Sequence, residues 1–372
     1  MKASSDVIII GAGIIGCLIA HRLAKKGLRV TVVEKECPGE EASWAAAGML
    51  APQSEAAHGL GGRFSELCFA SHRLYPDFIA ELEEETGIKI GYHTTGSLFV
   101  ASDYVEATAL AGLLERQQAA GRPAEELSAQ QVRELEPALA ETIQVGVYLP
   151  DDHHVDNRVL MRALVAGAAA RGVEFLAETP VVSLAFDNSR VAGIRIPERV
   201  LSADVVVNAA GAWAGLVDQT NQIRLPVRPV RGQMVRLELR PQPLHHLVHS
   251  SGCYLVPWPD GRVLVGATVE NVGYNKDVTA HGIRQLLDGA VQIVPSLDSA
   301  PIREVWAGLR PDTEDNLPIL GTGRVSNLVV AAGHFRNGIL LAPITAQLIT
   351  ELITIGEPSI SLDPFSPNRF EV

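Results

Sequence analysis

The first 35 residues show hydrophobic patterns in the order strand, helix, strand. Residues 7–10 are four consecutive β-branched side chains, a run typical of a strand that is covered on both faces. Residues 17–26 have helical periodicity and are followed by Gly27, a residue that suits the position after a helix end. A second apolar run at residues 30–33 ends at Glu34. This order predicts a βαβ unit.

The rest of the chain alternates between segments with this strand–helix pattern and segments that are rich in short strands. Helices are predicted at residues 105–120, 158–171 and 339–355. Buried strands that run into glycine are predicted at residues 204–211 and 328–333, and other strands at 173–176 and 181–184. Short strands suggesting antiparallel sheet are predicted at residues 96–100, 233–239, 253–257, 263–267 and 302–306.

These patterns predict an α/β fold, α+β overall, with a Rossmann-like dinucleotide-binding domain and an inserted, largely antiparallel β domain for the substrate. The dinucleotide-binding domain is expected to be discontinuous and to comprise residues 1–84, 155–222 and 311–372. The substrate-binding domain is expected to comprise residues 85–154 and 223–310.

Composition narrows the function classes. The 372 residues suffice for about two domains, and 47% apolar with 20% charged residues is ordinary for a soluble globular protein. A net charge of −12 argues against a general nucleic-acid binder. The four cysteines form no C-x-x-C pair, which fits a reducing compartment. The longest apolar run, residues 7–20, is too short to span a bilayer, so we expect a cytoplasmic enzyme without a transmembrane segment. A signal peptide is the competing interpretation, and regular glycine spacing with no clear cleavage site argues against it.

The turn of the βαβ unit carries a dinucleotide fingerprint, Gly11-x-Gly13-x-x-Gly16. Gly11 allows the tight turn, Gly13 lets the backbone approach a diphosphate, and Gly16 lets the helix pack on the strand. The helix N-terminus favours the diphosphate charge, and Glu34 is placed to accept hydrogen bonds from ribose hydroxyls. A tight turn beside an ordinary surface glutamate is the structural alternative.

Two features favour FAD over NAD. Residues 42–50 are rich in small side chains, which lets the backbone approach a large flat group, although a tightly packed Ala helix has the same composition. Glycine-ended strands at residues 208–211 and 331–333 suggest a long cofactor that is contacted from several parts of the chain.

With these motifs in place, the chain resembles the FAD-dependent D-amino acid oxidase superfamily, and most closely the glycine oxidases of thiamine biosynthesis. The most specific matches are Trp-Ala-Gly-Leu-Arg-Pro at residues 306–311 and the stretch from Gly333 to Pro343. The other matching stretches are residues 11–16, 43–50, 179–181, 208–213, 253–257 and 265–268. Two residues depart from the glycine oxidase pattern, because Gly252 stands where that type has His and Val269 where it has Met.

The resemblance implies which residues form the site. Tyr254, Arg310 and Arg336 would be the catalytic residues facing the substrate, with Met49 also contacting it. The residues that would contact non-covalent FAD, together with the glycine fingerprint, are Ile14, Ile15, Glu34, Lys35, Ala42, Ser43, Ala47, Gly48, Met49, Val181, His334, Phe335, Arg336, Asn337, Gly338, Ile339 and Leu340. Since no cysteine lies beyond Cys253, none is placed to bond the flavin at residues 300–320. No metal site is expected.

The chemistry of an amino acid agrees with these residue types, and each has a structural alternative. A carboxylate suits the bidentate guanidinium of Arg310, expected at a strand end before Pro311, where a surface ion pair is the alternative. Arg336 would support the same carboxylate or the other end of the substrate, or would bind its own loop carbonyls. Tyr254 would cap the pocket, or be a core tyrosine with a satisfied hydroxyl. His334 would touch flavin through its backbone, or only organise its loop.

The resemblance implies hydride transfer from the α-carbon of glycine or a small N-substituted glycine to flavin N5. The resulting imine would be hydrolysed to glyoxylate or another keto acid plus ammonia or an amine, and dioxygen would be reduced to hydrogen peroxide. A dehydrogenase of the same fold, acting on D-amino acids or secondary amines with a quinone or protein acceptor, is the alternative, and a non-catalytic flavoprotein is a third class. No nucleic-acid or membrane partner is expected. A homo-oligomer and a thiazole-forming partner enzyme remain open.

Overall fold

The computed structural model describes residues 5–56, 62–217, 225–325 and 327–370. Its helices are α1 Ile14–Lys25, α2 Ala42–Ala45, α3 Pro52–Ala56, α4 Gly62–Thr86, α5 Tyr104–Ala119, α6 Ala129–Leu135, α7 Asn157–Ala170, α8 Ala280–Ile293 and α9 Gly338–Thr354. Its strands are β1 Ser5–Ile10, β2 Val30–Val33, β3 Met49–Leu50, β4 Tyr92–His93, β5 Ser97–Ala101, β6 Glu125–Ser128, β7 Val145–Leu149, β8 His153–Val155, β9 Glu174–Leu176, β10 Ser183–Asp187, β11 Arg190–Arg195, β12 Val200–Asn208, β13 Val227–Glu238, β14 Leu247–His249, β15 Tyr254–Pro257, β16 Arg262–Gly266, β17 Ile302–Thr313, β18 Ile319–Thr322 and β19 Leu328–Ala332.

The first sheet is built around parallel strands whose side chains are buried on both faces. Its strand order is β10-β11-β12-β1-β2-β9, and β19 pairs with the last residues of β12 while β18 pairs with β19. Strands β12, β1, β2, β9 and β19 are mutually parallel where they pair. The carboxyl ends of β1, β2, β12 and β19 therefore meet at one edge, which is where ligands bind in open α/β sheets.

Apolar helices cover one face of this sheet. Helices α1, α4, α7 and α9 contribute side chains to the largest hydrophobic cluster, among them Leu18, Leu67, Leu164 and Leu341. The segment Phe335–Thr354, which includes α9, is long and apolar enough to cross a membrane by length and composition. However, 67% of its apolar stretch is buried inside the protein. Its packing is that of a core helix, since α1 and α4 lie against it.

The second sheet is mainly antiparallel. Its order is β17-β13-β16-β15-β14-β5-β7-β6, with β14 and β5 as its parallel pair. One face packs against α8 through residues such as Leu286 and Ala290. The opposite face carries Met234, Val256 and Trp306, which pack against Ala45 and Ala47 beside the carboxyl edge of the first sheet. The second sheet therefore lies over the edge of the first sheet that is formed by the carboxyl ends of its parallel strands.

A small third sheet, β3-β8-β4, joins the two regions. Three boundaries expected from the sequence fall inside single elements, at residues 84/85 in α4, 154/155 in β8 and 310/311 in β17. The fourth, at 222/223, lies outside the described residues. These three expected boundaries therefore do not coincide with loops.

Several predicted elements have different bounds. Strand β10 begins at Ser183, so Val181 precedes the strand instead of lying in it. Strand β17 continues through Arg310 and Pro311, whereas the sequence placed Arg310 at a strand end. Pro311 is tolerated because β17 is the edge strand of its sheet, where one side of the backbone has no ladder partner. The sequence pattern predicts no helix at residues 62–86, where the structure has α4 with Pro76 inside it.

Candidate active site

The fingerprint glycines make close backbone approaches at the end of β1. Gly11 has φ +100°, and a Cβ there would lie 2.5 Å from the Ala209 carbonyl oxygen. A Cβ on Gly16 would overlap the Gly11 carbonyl, so Gly16 allows α1 to pack on the turn. The N–H of Ile14 at the start of α1 donates to Ser43 Oγ at 2.9 Å. The turn therefore joins residues 11–16 to the small-residue segment.

Glu34 lies directly after β2, at the same edge. Its Oε2 accepts a hydrogen bond from the Ala12 N–H at 2.7 Å, so the carboxylate is held against the glycine turn. The neighbouring Lys35 ammonium lies 3.5 Å from the centre of the Trp213 ring and donates to Glu41 at 3.0 Å. These groups form one end of a cavity between the two large sheets.

The cavity has a volume of about 670 Å³ and reaches from Glu34 to Arg310 and Tyr254. Of the residues predicted to contact FAD, its wall includes Gly11, Gly13, Ile14, Ile15, Glu34, Lys35, Ala42, Ser43, Ala47, Gly48, Met49, Val181 and residues 334–339. Two predicted residues lie off the wall. Gly16 acts in packing, and Leu340 is buried in the main core because it follows the first turn of α9 inward.

The small-residue segment begins with a single helical turn, α2, which lies between the two large sheets. Asn157 Nδ2 donates to the Ser43 carbonyl at 2.7 Å, and Trp306 Nε1 donates to the Ala45 carbonyl at 3.0 Å. A Cβ on Gly308 would overlap the Ala45 side chain. Close packing therefore requires small residues here, and several residues of the same segment line the cavity.

Arg310 reaches across the second sheet into the cavity. Its Nη1 donates to the Thr268 carbonyl at 3.0 Å, and within the described residues it forms no ion pair. Burial lowers the pKa of Arg310, while the nearby Tyr254 opposes that shift and Arg336 adds to it. Arg310 is therefore a half-buried cation that faces the cavity, and no carboxylate of the described residues lies within ion-pair distance of it, unlike the surface ion pair of the alternative interpretation.

Tyr254 lies beside this cation. Its hydroxyl donates to Met234 Sδ at 3.4 Å, and burial raises its pKa while the Arg310 charge lowers it. The ring fits over Gly266, where a Cβ would overlap it. Met49 is half-buried and packs against the same apolar cluster as Tyr254.

Arg336 also lines the cavity, but it has a carboxylate partner that the sequence did not reveal. Its Nε donates to both oxygens of Glu55 at 2.9 Å, and Asn337 Nδ2 donates to Glu55 Oε2 at 3.0 Å. The sequence predicted that Arg336 binds either the substrate or its own loop carbonyls. The contact with Glu55 corresponds to neither prediction. Glu55 lies in the short helix α3, and no local sequence signal marks it.

His334 is buried, and burial lowers its pKa to about 3, so the imidazole is neutral. Its Nε2 lies 3.1 Å from Thr345 Oγ1, which supports a loop-organising side chain.

The two residues that depart from the glycine oxidase pattern differ in their position relative to the cavity. Gly252 is exposed and is not on the cavity wall, whereas Val269 lines the cavity with 69% of its surface exposed.

Comparison with known proteins identifies the family. A family profile described as FAD dependent oxidoreductase matches residues 6–352. The chain belongs to this family. The predicted recognition and the FAD cofactor are thereby confirmed.

Individual relatives agree with this assignment. The chain is 38% identical over 370 residues to the bifunctional protein ThiO/ThiG of Trichormus variabilis, covering 98% of this chain and 55% of that protein, so it spans about half the length of that relative. It is 34% identical to the glycine oxidase of Pseudomonas putida, covering 98% of both chains. The crystal structure of glycine oxidase from Geobacillus kaustophilus superposes with a TM-score of 0.94 and 36% identity over 100% of both chains, which confirms the predicted fold class.

The residues present fit FAD. The cavity begins at a glycine turn beneath the N-terminus of α1, an arrangement that favours a diphosphate. Glu34 lies where a ribose would follow, and the cavity continues to Arg310 in the second sheet. A volume of about 670 Å³ lies within the usual range of about 300–1,000 Å³ for ligand sites.

Proposed function

We propose that the protein oxidises glycine or a small N-substituted glycine, with dioxygen as the electron acceptor. The observation that carries this proposal is Arg310, a half-buried guanidinium at the substrate end of the cavity with no carboxylate partner among the described residues. An amino-acid carboxylate supplies the missing charge and matches the planar donor pair. The names of the glycine oxidases to which the chain is similar support the same substrate class.

Arg310 binds the substrate carboxylate and fixes one end of the molecule. Tyr254 covers the bound substrate from the second sheet, and its raised pKa keeps the hydroxyl protonated as a hydrogen-bond donor. Met49 and Met234 contribute apolar surface that excludes water around the α-carbon. Arg336 and Glu55 together form a neutral pair at the wall, so Arg310 supplies the unbalanced positive charge.

The bound FAD supplies the hydride acceptor for this chemistry. The protein's task is to hold the α-carbon of the neutral amine in a reactive position, and orientation of this kind removes much of the barrier. The imine product takes up water to give glyoxylate and ammonia, or the corresponding amine. With dioxygen as the final acceptor, the two electrons and two protons removed from the amine would be recovered as hydrogen peroxide. His334 is not assigned a proton-transfer role, because a pKa lowered to about 3 makes its imidazole a weak base and its Nε2 lies 3.1 Å from Thr345 Oγ1.

We extend this proposal to a partner enzyme, to the location of the protein in the cell and to its domains. The relatives named ThiO/ThiG suggest that the imine serves a thiazole-forming partner enzyme in thiamine biosynthesis. We assign the protein to the cytoplasm. We also propose that the first sheet belongs to the FAD-binding domain and the second to the substrate-binding domain.

The test is anaerobic mixing of the FAD-loaded protein with glycine, sarcosine and D-amino acids, followed by exposure to air. We expect glycine or sarcosine to bleach the flavin absorbance, and air to restore it while hydrogen peroxide accumulates. Absence of bleaching with every compound overturns the amino-acid oxidation. Bleaching without recovery in air, but with recovery on adding a quinone, identifies the dehydrogenase instead.

A further inference from the structure

The second sheet presents one continuous row of side chains to the cavity. Strand register places Phe99 opposite His249, and His249 opposite Tyr254. The row continues from Tyr254 to Gly266 and from Gly266 to Met234. Directly opposite residues on paired strands share a face of the sheet. Phe99, His249, Tyr254 and Met234 all line the cavity.

The first three members of this row are rings in mutual contact. The Phe99 and His249 rings are stacked, with centroids 4.3 Å apart and planes inclined by 6°. The His249 and Tyr254 rings follow with centroids 6.1 Å apart. Together they form an aromatic wall, defined here as Phe99, His249 and Tyr254.

The wall extends away from the carboxylate-binding end. Arg310 belongs to β17 and contacts Thr268 and the neighbourhood of Tyr254. Strand order then runs from β15 through β14 to β5, so His249 and Phe99 lie successively beyond Tyr254. Neighbouring strands are about 4.8 Å apart. A substrate that is held by its carboxylate at Arg310 and extends along this row would therefore meet His249 and then Phe99.

The outer end of the wall is firmly supported. Phe99 packs against the cluster formed by Ala101, Leu110, Leu114 and Leu149, which belongs to β5, β7 and α5. Packed interiors yield little to added volume. The stacked pair is thus a fixed limit on one dimension of the substrate.

We propose that Phe99 and His249 determine substrate specificity by limiting the length of the group that the substrate carries at the end opposite its carboxylate. The inference rests on the proposed function for the location of the carboxylate. It names small amino acids and short N-alkyl glycines as the substrate class, and it assigns the limit to a stacked pair that no sequence motif marks.

The test uses non-oxidisable ligands as well as substrates. Methoxyacetate, ethoxyacetate, propoxyacetate and butoxyacetate keep the carboxylate and replace the amine by an ether oxygen. Their dissociation constants are measured from the perturbation of the flavin absorbance in the FAD-loaded protein. Glycine, sarcosine, N-ethylglycine and N-propylglycine are then compared by the rate of anaerobic flavin bleaching.

The variants are Phe99→Leu and, at the second ring, His249→Ala, which keeps the test valid if one of them misfolds. Phe186→Leu is the matched control, because Phe186 is a half-buried residue of β10 in the first sheet, away from the cavity. We expect wild type to bind butoxyacetate at least tenfold more weakly than methoxyacetate. Each wall variant should reduce the ratio of the butoxyacetate to the methoxyacetate dissociation constant at least fivefold, and Phe186→Leu should leave this ratio unchanged.

The results separate the two proposals. Equal binding of all four ethers by wild type, or an unchanged ratio in both wall variants, overturns the role of the wall. A shift in the ether ratio without bleaching by any amine supports the wall and rejects the proposed oxidation. Bleaching by glycine, together with ether binding that does not depend on chain length, supports the proposed oxidation and rejects the role of the wall.

Discussion

The Arg310 guanidinium lies over Gly232, which is two residues along β13 from Val230, the residue opposite Arg310 in the β13–β17 ladder. A Cβ built on Gly232 would overlap three atoms of that guanidinium. Gly232 is itself paired with Gly308, so two strands lack side chains where Arg310 crosses. The absence of a side chain at residue 232 therefore determines where the cation lies.

Gly232→Ala should displace Arg310 and weaken substrate binding. Loss of a hydrogen bond to a charged group costs about 1.5–3 kcal/mol, which corresponds to a rise of roughly 10- to 150-fold in the apparent substrate constant. The constant is measured by anaerobic flavin bleaching against substrate concentration. Gly62→Ala is the control, since a Cβ there meets nothing within 4 Å. An unchanged constant in Gly232→Ala would show that Arg310 tolerates the methyl group.

Arg310→Ala should raise the apparent substrate constant strongly, and Arg310→Lys should raise it less. Loss of one partner from a buried charge pair costs about 2–5 kcal/mol, or roughly 30- to several-thousand-fold. Lysine keeps the charge but loses the planar donor pair. Arg303→Ala, at the exposed end of the same strand, is the control. FAD content should stay near wild type, and loss of flavin in Arg310→Ala would make Arg310 a structural residue.

Glu34→Ala should weaken FAD binding while the fold is retained. The variant loses the acceptor for the Ala12 N–H and the expected ribose contact. Hydrogen bonds to charged groups contribute about 1.5–3 kcal/mol, so the FAD dissociation constant should rise roughly ten- to a hundredfold. It is measured by titrating the apoprotein and following flavin fluorescence. Glu36→Ala, two residues away and exposed, should bind FAD as wild type does; equal affinities in both variants would remove Glu34 from the site.

Glu55 and Arg336 should be energetically coupled. Each single substitution, Glu55→Gln or Arg336→Gln, leaves a polar partner at the cavity wall without its charge. The double variant should therefore lose less free energy of unfolding than the two single losses added together, by about 0.5–3 kcal/mol. Urea unfolding of the four proteins gives the free energies of unfolding. Simple additivity would mean that the ion pair contributes nothing to stability.

Asp152→Asn should change the pH dependence of stability. Asp152 is fully buried and accepts hydrogen bonds from the Gln53 N–H at 3.0 Å and from the Ser54 hydroxyl. Burial raises its pKa from 3.8 to about 7. Between these values the folded protein holds a proton that the unfolded chain releases, so this carboxyl contributes less stability as the pH rises from about 4 to 7.

The thermal midpoint of Asp152→Asn relative to wild type should therefore increase between pH 5 and pH 8. The amide has no charge to bury, whereas the wild-type carboxylate does. Asp151→Asn, at the half-buried neighbouring residue, provides the comparison. A constant difference between Asp152→Asn and wild type across this range would place the pKa of Asp152 outside it.

Local patterns determined the βαβ unit and the two glycine-ended strands. Runs of β-branched residues form buried strands wherever they are placed, and the spacing of Gly11, Gly13 and Gly16 has meaning only in a strand–turn–helix context. The parallel arrangement of those strands then brings their carboxyl ends to one edge. Glu34 and the small residues at 42–50 could therefore be predicted from sequence to lie near one another, and the cavity wall includes Glu34 and most of that segment. The family motifs singled out Arg310 and Tyr254.

Only the tertiary structure decided which side chains meet in the substrate region. Glu55 contacts Arg336 across 281 residues of chain, and Phe99 stacks on His249 through the register of two parallel strands. Strand β17 likewise continues through Arg310 because β13 pairs with it along nearly its whole length. Such contacts depend on strand register and packing between distant segments, and hydrophobic periodicity reports only which face of its own element each residue occupies.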